Sequence, residues 1–396
     1  MDHRQLEATR SHYDQHSLQY ATQEEAIQAR QQGEALPLKN LHNTIKKLLI
    51  NRFAGGKDSL LDLACGRGGD IWKWINAGIR YVKGVDLAPK EIEEAQIRFE
   101  EARRQRRDMQ LAAEFLCTPE LGRSLWSPED PANGQQRLYD AVSCMFALHY
   151  FFETEASLHM FMRNVSRNLK DGGYFFGCVP DGRTVVSVLM DEKRVHGRDV
   201  YDHKMLRLEA LWQGQAQSFG TKYLCAIGDT VTAGHEKSKG SVEFLVFKST
   251  LIGVAAQHGL KPVMHYHYPE LERLLSPADC REDQPGFLKH FNPKFPPESD
   301  ASLAVASALN ATFVFQKTSA KEGQAPQPAG QHQHHSQSYA GQKRQRDGSR
   351  DPYKQPSAPQ AANAQRQDDQ APGSRTAPEE GVESDIIFSG PMKSEI

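Results

Sequence analysis

The chain lacks any apolar run approaching the roughly 18 residues that a membrane-spanning helix requires. Its N-terminus is rich in charge and glutamine and shows no signal-peptide pattern, so the sequence reads as a soluble, intracellular protein with no membrane partner. Cysteine is scarce, with six in 396 residues and no C-x-x-C pair. That leaves neither a zinc site nor a disulfide framework, so no metal is expected and a reducing compartment fits. A charge excess of one sign is also missing, because 48 Lys and Arg oppose 50 Asp and Glu for a net charge of −2. No global field draws the chain to nucleic acid, so any anionic partner must be met by a local basic site. Beyond Lys317 apolar residues almost vanish until Ile386, Ile387 and Phe388, in a stretch of Gln, Pro, Ala, Ser, Gly and His. Such a composition cannot bury enough apolar surface to offset chain entropy. Residues 318–396 are therefore expected to be a disordered tail, and 1–317 a single domain with one sizeable core.

What is present within 1–317 is an alternation of short apolar runs with helical patterns. Residues 59–65, 81–87, 111–117, 138–145 and 174–179 read as strands, and 69–77 reads as a helix. After Pro89, Ile92, Ala95, Phe99 and Ala102 fall on one helical face, as do Leu158, Phe161, Val165 and Leu169 further on, where Gly172-Gly173 would stop the helix. A helix over 250–258 capped by Gly259, a strand over 261–266 and a last strand over 312–315 complete the pattern. An earlier helix over about 37–53 would bury Leu41, Ile45, Leu48 and Leu49 and cluster His42, Asn43 and Lys46 on an adjacent face. Strands and helices alternating at these lengths predict an α/β fold with a mostly parallel sheet and helices on both faces. Between Gly182 and Gly240 the periodicity is poor, and about 183–240 reads as an insertion over the substrate side.

The densest signal is Leu61-Asp62-Leu63-Ala64-Cys65-Gly66-Arg67-Gly68-Gly69-Asp70, at the carboxyl end of the first strand, where open α/β sheets bind ligands. Asp86 follows about 20 residues on, where a carboxylate can accept both hydroxyls of an adenosyl ribose. The glycine pattern is D-x-x-C-G-x-G-G, not the G-x-G-x-x-G that sets a helix N-terminus on a pyrophosphate. S-adenosylmethionine, which has no pyrophosphate, fits better than a dinucleotide. A tight turn without a ligand is the alternative.

These residues resemble the eukaryotic mRNA cap guanine-N7 methyltransferases. The matching pieces are S-H-Y-D at 11–14, L-K-N-L-H-N-T-I-K at 38–46, L-D-L-A-C-G-R-G-G-D-I-W-K-W at 61–74, S-C-M-F-A-L-H-Y-F-F-E at 143–153, G-G-Y-F-F-G-C-V-P at 172–180 and V-E-F-L-V-F at 242–247. The resemblance implies a Rossmann-like class I methyltransferase fold with a seven-stranded sheet. It implies N7 methylation of the terminal guanosine of capped RNA, a nuclear setting and contact with capping or transcription machinery, in a monomer. It would place Lys46 on the methionine carboxylate, Asp62 near the cofactor's amino group, and Ala64, Gly66, Asp86, Met145 and Tyr150 around the cofactor. His42, Asn43, Arg67, Lys73, His149 and Glu243 would contact the cap, with Arg67 and Lys73 on the triphosphate. Guanine presents N1–H and N2–H₂ as adjacent donors, which the Glu243 carboxylate could accept together. Guanine N7 has a lone pair and no proton to lose, so no general base is expected and the residues act by positioning.

Several positions depart from the family. Ala64 replaces a glycine, Met145 a glutamine and His42 an asparagine, while Thr118-Pro119 falls where an aspartate would meet the adenine amino group. Asn310 stands where an aromatic residue would pack the methylated guanine. These changes keep two other readings open: a class I methyltransferase acting on a small molecule or protein, and a catalytically weak capping scaffold. In the tail, the basic run at 343–346 is consistent with nuclear import, the histidines at 332, 334 and 335 read as composition, and 385–388 could dock a partner.

Overall fold

The computed structural model describes residues 7, 10, 11, 33–128, 136–228, 230, 240–276 and 286–318. The expected tail with its basic run, histidines and 385–388, and most of the S-H-Y-D stretch, lie outside these residues. Helix α1 spans Leu36–Ala54, with Pro37 in its first turn, where a missing N–H costs nothing. It buries Leu38, Ile45, Leu49, Ile50 and Phe53. Leu41 and Leu48, expected in the same stripe, are only partly buried at its margin.

Five strands then run parallel: β1 Ser59–Leu63, β2 Tyr81–Asp86, β3 Ala112–Cys117, β4 Tyr139–Met145 and β5 Leu169–Pro180. Between them lie α2 Ile71–Asn76, α3 Pro89–Gln105, a 3-10 turn Leu148–Glu153 and α4 Glu155–Asn168. The Thr154 hydroxyl accepts from Ser157 N to cap α4. That helix ends at Asn168, not at the glycine pair. Gly172 instead takes φ +76° within β5, where the register with β4 slips between Tyr139 and Ala141.

The stretch that looked irregular is regular in three dimensions. Helix α5, Gly182–His196, is capped by the Asp181 carboxylate at its start and by Gly197 in left-handed conformation at its end. Strands β6 Val200–Asp202, β7 Leu206–Ala210, β8 Lys222–Ile227 and β9 Ser241–Phe244 form a separate antiparallel sheet in that order. These strands are three to six residues long, too short for alternation to stand out in sequence. After α6 Lys248–Gln257 comes β10, limited to Leu260–Pro262 rather than the expected 261–266. Beyond Pro262 the chain leaves the ladder, and Tyr266 turns inward to meet the Thr312 hydroxyl at 2.9 Å. The last elements are α7 Pro269–Glu272, β11 Lys289–His290, α8 Ala301–Ala308 and β12 Asn310–Lys317.

The main sheet has the order β10-β12-β5-β4-β1-β2-β3, with short β11 added beside β12. β12 is antiparallel to β5 and β10, so the sheet is mixed but parallel through its centre. Leu61 and Leu63 pack with Phe161 and Leu251 on one face, while Leu60 packs with Phe53, Trp74 and Phe99 on the other. Each such fully buried side chain contributes about 1.5–3 kcal/mol. Strand order reverses direction between β4 and β1, which opens a crevice at their carboxyl ends. That is where the glycine turn leads.

Candidate active site

The turn from β1 to α2 is built on left-handed backbone at Ala64 (φ +59°), Gly66 (φ +52°) and Gly68 (φ +71°). At Gly68 a Cβ would lie 2.6 Å from Ile71 Cδ1 and 3.3 Å from Ala95 Cα, so α2 and α3 close over the turn only around glycine. Ala64 holds its conformation at a cost of about 1–2 kcal/mol. The turn aims the Gly66 amide at Asp86, whose Oδ2 accepts it at 2.9 Å while Oδ1 accepts Ala88 N at 2.9 Å. Burial raises the Asp86 pKa to about 6, against the pull of those two amides. Each oxygen retains a lone pair, enough for a vicinal diol. The crevice around Asp86 is walled by Leu87, Pro119, Leu121 and Phe151, with Ala64, Thr118, Arg123 and Tyr150 completing it. Apolar walls beside one diol-accepting carboxylate suit a purine nucleoside. Met145 lies outside this wall and packs with the α1-side core.

A second carboxyl lies deeper. Asp62 is 3% exposed, accepts from the Ser143 hydroxyl and forms no ion pair among the described residues. Burial, then the nearby Asp70 charge, raises its pKa to about 7. A buried carboxyl without a cation is suited to an incoming ammonium or sulfonium. Asp70 is instead gripped by two lysines, Lys46 Nζ at 2.7 Å and Lys73 Nζ at 2.8 Å. Burial alone would raise the Asp70 pKa; the lysines overrule it and hold it at about 2. The three groups carry a net single positive charge. Arg67 forms a two-point ion pair with Glu91, Nη2 to Oε1 at 2.7 Å and Nε to Oε2 at 3.2 Å. Both residues expected to meet a triphosphate are therefore held by carboxylates of the protein. Asp70 and Glu91 were not singled out from sequence, although Asp70 sits three residues before Lys73, a spacing that brings side chains together on a helix.

The third group joins segments nearly a hundred residues apart. β9 packs against the 3-10 turn, and Tyr150 Oη lies 3.0 Å from Ser241 Oγ. Glu243, 4% exposed, has Oε1 3.9 Å from His149 Nε2, and both ring nitrogens of His149 lack a hydrogen-bond partner among the described residues. Burial pushes the Glu243 pKa up to about 7 and that of His149 down to about 3, so the imidazole is neutral. Glu243 Oε2 accepts from Tyr223 Oη at 2.6 Å. Tyr223 and Ser241 were not predicted; no local pattern links them to a site.

The remaining positions take other roles. His42 stacks on Phe146 at 5.2 Å, donates or accepts at Ser307 Oγ and is held neutral by burial and by Lys46, with its pKa near 3. Phe146 itself has φ +58°, a strained conformation for a bulky residue, at the carboxyl end of β4. Asn43 is exposed on α1. Asn310, 6% exposed, donates its amide to Ala306 O at 3.0 Å and so closes the end of α8.

The chain is 31% identical over 230 residues to mRNA cap guanine-N(7) methyltransferase 1 of Arabidopsis thaliana, covering 57% of this chain and 60% of that protein. With the mRNA cap guanine-N(7) methyltransferase of Candida glabrata it shares 28% over 309 residues, 73% of this chain and 69% of that one. The Saccharomyces cerevisiae protein of the same name is 29% identical, matched over 57% of its length. An S-adenosylmethionine-dependent methyltransferase from Clostridium acetobutylicum superposes with a TM-score of 0.39 at 15% identity, over 70% of this chain and 90% of that one. The mRNA (guanine-N(7))-methyltransferase domain matches residues 2–276, more than half of the chain, and on that match the chain belongs to the mRNA (guanine-N(7))-methyltransferase family.

Proposed function

We propose that this protein transfers the methyl group of S-adenosylmethionine to N7 of the terminal guanosine at a capped RNA 5′ end. One observation carries the proposal: Tyr150 walls the Asp86 crevice while its hydroxyl contacts Ser241, two residues from Glu243. Tyr150 thus connects the wall of the Asp86 crevice to the strand that carries Glu243. When bound, the donor supplies a methyl group on a sulfonium. Asp86 would hold its ribose, Asp62 its ammonium, and Lys46 its carboxylate as a point charge. Glu243 would accept guanine N1–H and N2–H₂, fixing the ring so that N7 faces the methyl carbon. The N7 lone pair forms the new N–C bond as the C–S pair returns to sulfur, with no proton to remove. Rate enhancement then comes from alignment, which can contribute up to about 7–11 kcal/mol. The ring gains positive charge as the bond forms, and the buried Glu243 carboxylate stabilises it.

The Lys46–Asp70–Lys73 cluster, with its net positive charge, supports an anionic acceptor, with Arg67 joining if Glu91 yields. That Arg67 and Lys73 are already paired favours the second reading, a small-molecule or protein acceptor, enough to warrant a direct comparison. The test is methyl transfer to capped RNA beside uncapped RNA and free GTP. Transfer confined to capped ends supports the proposal; equal transfer to all RNA, or none to capped RNA, ends it. Glu243→Ala should lower kcat/KM for the capped acceptor by roughly 100- to 10,000-fold, the worth of two charge-assisted hydrogen bonds at about 1.5–3 kcal/mol each. We further propose a nuclear protein acting as a monomer alongside the capping or transcription machinery, supported by the basic run at 343–346.

A further inference from the structure

Glu243 is read above as the residue that recognises guanine, yet its surroundings oppose the ionised form that this role needs. It lies almost fully buried on β9, and the titratable groups facing it are Tyr223 and Cys225 from β8 and His149 and Tyr150 from the 3-10 turn. None brings a cation: burial keeps His149 neutral and keeps the Tyr223 phenol and Cys225 thiol protonated. Among the described residues, the side chain of Glu243 receives one hydrogen bond, from Tyr223 Oη to Oε2 at 2.6 Å.

That bond is set by the backbone. Tyr223 and Glu243 are direct cross-strand partners in the β8–β9 ladder, and both side chains are buried, so neither can turn away without disturbing the packing around it. Cross-strand neighbours on one face stand about 4.5–5.5 Å apart at Cβ, close enough for a phenol to reach along a glutamate to one oxygen. A carboxylate offers about four lone-pair sites. Tyr223 occupies one on Oε2 and leaves a second there, with both on Oε1, the oxygen turned towards His149. An arginine at the same place would engage both oxygens in a fork and compete with guanine's two donors. A neutral donor with one proton fixes the carboxylate plane without filling it.

We propose that Tyr223 is a positioning residue for acceptor recognition: its hydroxyl holds the Glu243 carboxylate in one orientation, so that guanine selection depends on Tyr223 acting through Glu243. This deepens the cap-guanine reading and rests on it. Because the lone hydrogen bond favours the anion, removing it moves Glu243 further towards the neutral acid, which cannot accept two donors as a carboxylate does.

The experiment uses the full chain with Tyr223→Phe, which keeps the ring and deletes the donor. Carboxyl-carbon NMR on glutamate-labelled protein follows the Glu243 titration directly, with its resonance assigned by its disappearance in Glu243→Gln. The midpoint should rise by about 1–2 pH units, the loss of one hydrogen bond to a charge. In parallel, the acid limb of kcat/KM for capped RNA should move alkaline by the same amount. The rate falls on the order of 10- to 100-fold on the acid side and recovers at high pH. A ring-fluorinated tyrosine at position 223, a stronger donor of nearly equal size, should move the midpoint down and guards against failed folding of the phenylalanine variant. An unmoved midpoint, or a rate loss equal at every pH, overturns the proposal. If the wild-type protein leaves capped RNA unmethylated, the cap reading fails by itself, while the NMR titration still decides whether Tyr223 governs Glu243.

Discussion

Replacing Asp70 by asparagine tests the most heavily charged part of the site. The substitution keeps the shape of the side chain and removes the one anion held by Lys46 and Lys73. Its size follows from the displacement of the Asp70 pKa from 3.8 to about 2, nearly two units at about 1.4 kcal/mol each, or about 2.5 kcal/mol. Asp70 is 6% exposed, so solvent screening takes little of this. Lys73 shows the opposite balance, since burial lowers its pKa more than Asp70 raises it. One carboxylate serving two ammoniums cannot fully satisfy both, and 2.5 kcal/mol is therefore the upper end for the pair alone. Leaving two half-buried ammoniums without a counter-charge adds to the loss, as when one partner of a buried pair is deleted at about 3–5 kcal/mol. The sign is fixed: a depressed carboxyl pKa gives stability that is present above the unfolded value and lost as pH falls through about 2. Urea denaturation at neutral pH should show Asp70→Asn destabilised by about 2.5–4 kcal/mol, with the difference from wild type vanishing towards pH 2. Adding Lys46→Met should recover part of the loss, and inorganic tripolyphosphate should stabilise Asp70→Asn more than wild type. A loss below about 1 kcal/mol, the range of exposed pairs, would refute the reasoning. So would a failure of tripolyphosphate to distinguish the two proteins.

Two other substitutions probe the nucleoside crevice. Asp86 must be ionised to accept a diol, and its pKa of about 6 means that donor binding near that pH releases protons. The heat of S-adenosylmethionine binding should then depend on buffer ionisation enthalpy at about pH 6. Asp86→Asn should reduce the dependence to the part that Asp62, with its pKa of about 7, contributes, and should weaken binding, whereas identical heats in every buffer would count against the assigned role. Because its pKa is raised, Asp86 also costs the fold stability as pH climbs from about 4 through about 6. Ala64→Gly removes about 1–2 kcal/mol of left-handed strain and returns about 0.4–1 kcal/mol of chain entropy to the unfolded state. It should raise thermal stability by about 0.5 kcal/mol, and a lowered unfolding temperature would show that the methyl group packs favourably.

Sequence alone determined the central parallel strands, because buried strands leave continuous apolar runs and β1 is buried at every position. It also determined the glycine turn and Asp86, since their chemistry is local: one peptide turn and one strand end make the crevice floor. The family, too, was legible from contiguous residues. Helix α5 had its signals in Asp181 and Gly197, but the short strands that follow carry too few residues to show a period. What only the tertiary structure decided is who partners whom. Lys46 and Lys73 share Asp70, Arg67 is held by Glu91, Asn310 is consumed by the end of α8, and Tyr223 grips Glu243 across a ladder. Most are contacts between side chains whose separation along the chain says nothing of their distance in space; the exceptions are the neighbouring Asp70 and Lys73 and the Asn310 amide on Ala306 O, four residues away. Charge and burial at such contacts, not residue type, set which carboxylates are anions at neutral pH. The sequence names the groups that could read a guanine and hold a nucleoside; the packing of β9 against the turn after β4 brings Ser241 to Tyr150 and Glu243 to His149.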